Sequence, residues 1–340
     1  MQVVVIGAGR MGAIRTEDLA ADPRVSEIVV VNRSDEKAQS LARQFGVTAR
    51  PWDELDSLRP DAYVAAVATD AHSSLLTSLL ERQVPVLCEK PIALTLRETD
   101  EVITSTHHHG SDLMVGFQRR FDPGIRRAHD LAVAGDLGTL YSILLLSHDR
   151  TPSPREFIAG SGGIFRDLHV HDFDLVRWIC EAEVETVYAT KAVRSQWQYA
   201  EFGDADACQM HLVTSTGVQV AISGTRHHAL GHEVRMEIHG SGDSVAAGLN
   251  PRTPLHALDG DLDEALALDV NARPYTGFVD RFRDAFRHET AAFVGLVAGE
   301  HANPCPPEDA RESMRIAVAC EESIRRGTVV RVSDITNEID

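Results

Sequence analysis

The stretch VVVIGAGRMGAI, residues 3–14, does most to limit what this chain can fold into. A β-branched run stops at a glycine, and Gly7, Gly9 and Gly12 then follow the spacing G-x-G-x-x-G into a helix-like segment. Gly7 suits a tight turn, Gly9 lets the backbone approach a pyrophosphate, and Gly12 lets a helix lie close on the strand. The start of that helix offers N–H groups and a positive dipole end to phosphate. The glycine pattern alone is a weak signal, but the alternation continues. SEIVVVNRS reads as a second strand and DEKAQSLARQFG as a helix ending at Gly46. AYVAAVAT and VPVLCEK read as strands around the helix AHSSLLTSLLERQ, and LMVGFQ closes the series after LRETDEVITSTHHHG. Apolar strands alternating with helices predict a parallel sheet covered on both faces.

At 340 residues the chain is long for one core, so two domains are expected. The first is an α/β Rossmann domain with a doubly wound parallel sheet, over residues 1–120. After that the grammar changes. TLYSILLLSHD, VETVYATKAVR, DACQMHLVTSTG, VQVAISGTRH and EVRMEIHGSG are strand-like runs joined by turns with few helices between them. They predict an α+β domain with a large, mostly antiparallel sheet over residues 121–340. The segment from Ala246 to Gly277 is turn-rich and acidic, and is expected to order only against a ligand or partner.

Fifty-one acidic residues against 33 basic ones give a net charge of −18, which argues against nucleic acid or an anionic membrane as partner. No apolar run approaches the ~18 to 20 residues of a membrane span. The N-terminus lacks the charged start of a signal peptide. Five cysteines without a C-x-x-C pattern read as reduced thiols. A cytoplasmic location is expected.

The end of the second strand bears on cofactor choice. A carboxylate there would grip the ribose hydroxyls of NAD, but the chain has Asn32 and Arg33. Asn32 repels no phosphate and Arg33 can pair with a 2′-phosphate, so NAD(P) is expected, with NADP favoured over NAD. Arg33 as a solvated loop residue is the plainer alternative.

VPVLCEKPIALT, residues 84–95, ends a buried-looking strand in Glu89, Lys90 and Pro91. In open α/β sheets ligands bind beyond the carboxyl ends of the strands, where Lys90 stands. The proline stiffens the backbone and leaves both peptide isomers open. A surface ion pair of Glu89 and Lys90 is the bland alternative. GSGGIFRDLHVHDFDLVRWIC, residues 160–180, places Asp167 four residues before His171, on one face if helical. From Val170 the apolar positions suit a packed helix. His169, His171 and Asp174 raise a metal reading, but His169 and His171 face different ways on a helix, so no metal is expected. The triplet His107 to His109 suits the last turn of a helix, where cations meet the negative dipole end.

Taken together, GAGRMG, CEKPIAL, GFQRRFDP and GGIFRDLHVHDFDLVRW resemble the Gfo/Idh/MocA oxidoreductases, and the last segment is most like the inositol 2-dehydrogenase branch. The resemblance covers nearly the whole chain. It implies hydride transfer between nicotinamide and a secondary alcohol of a cyclitol or sugar. It implies His171 as general base, Lys90 near nicotinamide and substrate, and Asp167 as the carboxylate that partners both. An unperturbed histidine, with a pKa near ~6.5, suits proton removal at neutral pH. Cofactor contacts are expected from Gly7, Gly9, Arg10, Met11, Gly12, Asn32, Arg33, Thr69, His72, Glu89, Lys90 and Gln118. Substrate contacts are expected from Lys90, Arg119, Asp149, Asp167, His171 and His232. Asp149 is where the chain departs from the inositol pattern. The family uses its second sheet for oligomerisation, so a homotetramer or homodimer is implied. Two competing readings are another carbohydrate dehydrogenase or reductase on the same scaffold, and a nucleotide-binding sensor without chemistry.

Overall fold

The computed structural model describes residues 1–248 and 274–336. Most of the acidic segment expected to need a partner, residues 249–273, lies outside the described residues. The chain divides into two compact units. One takes in Met1–Phe121 with Asp284–Glu312, the other Asp122–Arg283 with the chain from Ser313. The sequence expectation assigned everything after residue 120 to the second domain. Residues 284–312 instead cluster with the first unit, where Glu289 and Thr290 bond to Arg15. Among the described residues no helix is long and apolar enough to cross a membrane.

The first unit holds six parallel strands: β1 (Gln2–Ile6), β2 (Glu27–Val31), β3 (Thr48–Arg50), β4 (Ala62–Ala65), β5 (Val86–Glu89) and β6 (Leu113–Gly116). Their order is β3-β2-β1-β4-β5-β6, the doubly wound arrangement expected. The short β3, T-A-R, was not foreseen; three residues with a single half-buried side chain carry little alternation. The order reverses between β1 and β4, and a ligand crevice lies beyond the carboxyl ends at such a switch point. Helices α1 (Arg10–Ala20), α2 (Asp35–Phe45), α3 (His72–Leu80) and α4 (Leu96–His109) join the strands. Ser34 caps α2 and Thr95 caps α4, each accepting a backbone N–H three residues on. The histidine triplet closes α4 just before Gly110, as its position predicts.

The second unit opens with α5 (Pro123–Val133) and β7 (Leu140–His148), followed by the short α6 (Arg155–Gly160) and by α7 (Val170–Cys180). Strands β8 (Val184–Ala192), β9 (Ala207–Thr214), β10 (Gln219–Thr225), β11 (Glu233–Gly240) and β12 (Ser244–Ala247) come next. The sheet, completed by β13 (Val330–Arg331), has the order β12-β11-β7-β10-β9-β8-β13. Only β7 and β10 pair in parallel; the other described pairs are antiparallel. Ile143, Leu145, Met210, Leu212, Val220 and Ile222 alternate onto one buried face. That face meets α7, whose Asp172 accepts a hydrogen bond from Ser147 of β7 at 2.9 Å. The other face is open among the described residues: Leu144, Ala221, His211 and Tyr188 line up in register, with Leu144 38% and Tyr188 41% exposed.

Candidate active site

In the first unit the glycine turn is held by backbone contact. Gly7 has φ +112°, and a Cβ there would sit 2.3 Å from the Ala66 carbonyl oxygen beyond β4. A Cβ on Gly12 would lie 1.9 Å from the Gly7 oxygen, so the helix presses directly on the turn. Gly9 is different: a Cβ there meets nothing within 4 Å. The turn is therefore closed towards the protein at Gly7 and Gly12 and open outward at Gly9, which is the shape a pyrophosphate requires. Gly9 precedes α1 without a side-chain cap, Arg10 beside it is exposed, and Met11 is half-buried. These residues fit a dinucleotide. Gly9→Ala is expected to leave stability within about 0.5 kcal/mol while weakening cofactor binding. Gly12→Ala, against immovable backbone, is expected to lower stability by about 1–3 kcal/mol. Urea unfolding and a cofactor fluorescence titration on both variants separate the two effects.

Asn32 shapes this turn. Its Oδ1 accepts from the Ala8 N–H at 3.1 Å and its Nδ2 donates to the Ser34 carbonyl at 3.1 Å. Arg33 is exposed, with its guanidinium 5.4 Å from the Trp52 ring centroid. Thr69 is half-buried in a 3-10 turn after β4. His72 is closed in, 1% exposed, with Nδ1 2.8 Å from the Pro91 oxygen and Nε2 3.2 Å from the Val67 oxygen. Burial holds its pKa below the usual value. His72 thus braces the loops after β4 and β5.

At the end of β5 the Lys90–Pro91 bond is cis. Lys90 is half-buried at this end of the strand. Glu89 pairs with a buried arginine. Its Oε1 accepts from Arg15 Nε of α1 at 2.8 Å. Arg15 is fully buried and donates also to Glu289 Oε2 at 2.5 Å and to Thr290 Oγ1 at 3.0 Å. Burial pushes the Glu289 carboxyl up to about 7. Gln118 and Arg119 lie buried in the 3-10 turn Gln118–Phe121 after β6.

In the second unit strand register assembles the polar cluster. Parallel pairing of β10 with β7 ends at Thr225 opposite His148, so Arg226 and Asp149 leave the sheet side by side. β11 begins with Glu233 opposite His148, which puts His232 beside Asp149 as well. Arg226 Nη1 donates to Asp149 Oδ2 at 3.3 Å and to Asp167 Oδ2 at 2.8 Å. His232 Nδ1 lies 3.5 Å from Asp149 Oδ1. Burial alone would raise the Asp149 pKa, but the bond from His232 and the charge of Arg226 outweigh it, and the carboxyl is held below the ordinary value.

Asp167 and His171 do not share one α-helical run. Phe165–His169 is a π-helical turn, and α7 begins only at Val170. The wider turn coincides with a pinned His169, whose Nδ1 is 2.7 Å from Asp172 Oδ2 and whose Nε2 is 3.1 Å from Cys208 Sγ. His171 is buried, 6% exposed, in the first turn of α7. Among the described residues no His, Cys, Asp and Glu group gathers as a metal set. Sequence reasoning missed Arg226, Arg15, Glu289 and the His169–Cys208 contact. Arg226 is the first residue beyond β10, and only the pairing of β10 with β7, which ends at His148, brings it beside Asp149.

Residues 1–117 match a family described as "Oxidoreductase family, NAD-binding Rossmann fold", and residues 125–246 match the GFO/IDH/MocA C-terminal domain. A myo-inositol dehydrogenase of Streptomyces leeuwenhoekii is 34% identical over 97% of this chain and 99% of its own. A myo-inositol 2-dehydrogenase of Thermotoga maritima is 27% identical over 98% of this chain and 99% of its own. The crystal structure of a myo-inositol dehydrogenase from Corynebacterium glutamicum superposes with a TM-score of 0.86 at 32% identity, covering 97% of this chain and 98% of that one. The glycine turn at a sheet switch point, the mostly antiparallel second sheet and these matches lead to one conclusion: the chain belongs to the Gfo/Idh/MocA family of NAD-binding oxidoreductases.

Proposed function

We propose that the protein is an NAD(P)-dependent dehydrogenase that oxidises a secondary hydroxyl of a cyclitol such as myo-inositol. One observation carries the reading: a built pyrophosphate turn and a strand-end lysine occur in a chain 34% identical, over 97% of its length, to a named myo-inositol dehydrogenase. Bound nicotinamide supplies the hydride acceptor. His171 takes the hydroxyl proton as the carbon gives up its hydrogen with both electrons and the C=O bond forms. Lys90 donates a hydrogen bond to the reacting oxygen and stabilises negative charge growing there. Asp167 orients these groups, and Asp149, His232 and Arg119 hold the remaining hydroxyls. A second reading, another carbohydrate as substrate, is favoured by Asp149, the departure from the inositol pattern. Initial rates on a panel of inositols and aldoses decide between them; activity confined to an aldose rejects the cyclitol.

The cofactor assignment follows from the end of β2. The Asn32 amide is engaged with backbone, no carboxylate replaces it, and Arg33 is exposed over Trp52. A 2′-phosphate meets a cation there and no repulsion, so NADP is accepted alongside NAD. Comparing kcat/KM for the two cofactors tests this, and a strong NAD preference unchanged in Arg33→Ala rejects it. For the outward sheet face holding Leu144 and Tyr188 we propose a second copy of the chain as occupant. Light scattering that reports a monomer at every concentration contradicts that proposal.

A further inference from the structure

The cation at the centre of the second-unit cluster has no part in the chemistry so far. Arg226 is 2% exposed, while the side chains of Asp149 and Asp167 are 23% and 16% exposed. The guanidinium is therefore the closed layer and the two carboxylates are the open one. Both carboxylates bond to the same atom, Nη1, at 3.3 and 2.8 Å, so their Oδ2 atoms share one donor. Two carboxylates on one donor each disfavour the other's ionised form, and the guanidinium charge between them offsets that. A guanidinium does not lose its proton, so the arrangement holds at any working pH.

We propose that Arg226 is a positioning residue that fixes Asp149 and Asp167 as a pair of ionised acceptors for two hydroxyls of one neutral polyol. This rests on the polyol dehydrogenase reading above and names what keeps two of its acceptors ionised. His232 Nε2 supports a ligand on this side: it is buried and has no hydrogen-bond partner among the described residues. The other groups acting on the cluster are Asp204, which accepts from the Ile164 N–H at 2.9 Å, and Tyr199, whose hydroxyl accepts from the Ser153 N–H at 3.0 Å.

The test uses the full chain with Arg226→Met and Arg226→Lys, and two readouts. The first is carboxyl-carbon NMR titration of Asp149 and Asp167, which needs no substrate. Arg226→Met is expected to raise the titration of one of the pair by about one unit or more, and Arg226→Lys to restore most of it. The second is the pH profile of kcat/KM for a polyol that the wild type oxidises. Arg226→Met is expected to lose about 10²-fold, with its acid limb moved upward and cofactor affinity unchanged. A purely structural role would lower the folded fraction without moving either titration. If Arg226→Met does not fold, Arg226→Gln decides: it removes the charge while keeping polar atoms in the pocket, and the same upward shift is expected. Unmoved titrations in the folded variants overturn the proposal. Absence of wild-type turnover on every polyol overturns the parent reading instead, and the NMR titration still decides the role of Arg226.

Discussion

Replacing His171 by alanine is expected to lower kcat by about 10²- to 10⁴-fold, the usual contribution of a positioned general base. Oxidising an alcohol requires the hydroxyl proton to leave as hydride departs, and water is a poor base at neutral pH. His171 is 6% exposed in the first turn of α7, so its ring is held rather than free to sample solvent. Lys90→Ala is expected to show a loss in the same range, because the growing alkoxide charge then lacks its donor. Neither change touches the glycine turn, and both variants are expected still to bind cofactor in a fluorescence titration. Near-normal kcat in either variant contradicts the assignment.

Arg15→Met is expected to cost about 3–5 kcal/mol of stability, because it removes one partner of a buried ion pair and leaves the other behind. Glu289 is fully buried, and Arg15 donates to it at 2.5 Å. Thr290 loses its donor and the Phe286 ring loses the guanidinium packed 5.3 Å from its centre. Urea unfolding measures the loss; a change below 1 kcal/mol contradicts this account. The same pair predicts a pH dependence. The Glu289 carboxyl is raised from an ordinary 4.5 to about 7, first by burial. Between those values the folded chain binds more protons than the unfolded one, so this group lowers stability as pH rises through the window. Glu289→Gln is expected to flatten that part of the stability profile.

The parallel sheet was legible because every one of its longer strands is a continuous apolar run ending in a turn signal, and helix caps such as Ser34 and Gly46 mark the intervening elements. The strands of the second sheet were legible by alternation, but their order was not. That β10 lies parallel to β7 is a long-range fact with no local trace, and it is what brings Arg226 to Asp149. The π turn was equally hidden: Asp167 and His171 are four apart in any helix, and the departure from α geometry coincides with His169 reaching Asp172 and Cys208 across the fold. Arg15 carries no local signal in the sequence. Its partner Glu289 lies 274 residues away, so no periodicity pointed to it.

The most direct test of the central claim is the initial rate of nicotinamide reduction by the wild-type protein on myo-inositol, with saturating cofactor. The account predicts inositol-dependent reduction that disappears in His171→Ala. Tight cofactor binding with no reduction on any inositol or sugar would contradict it.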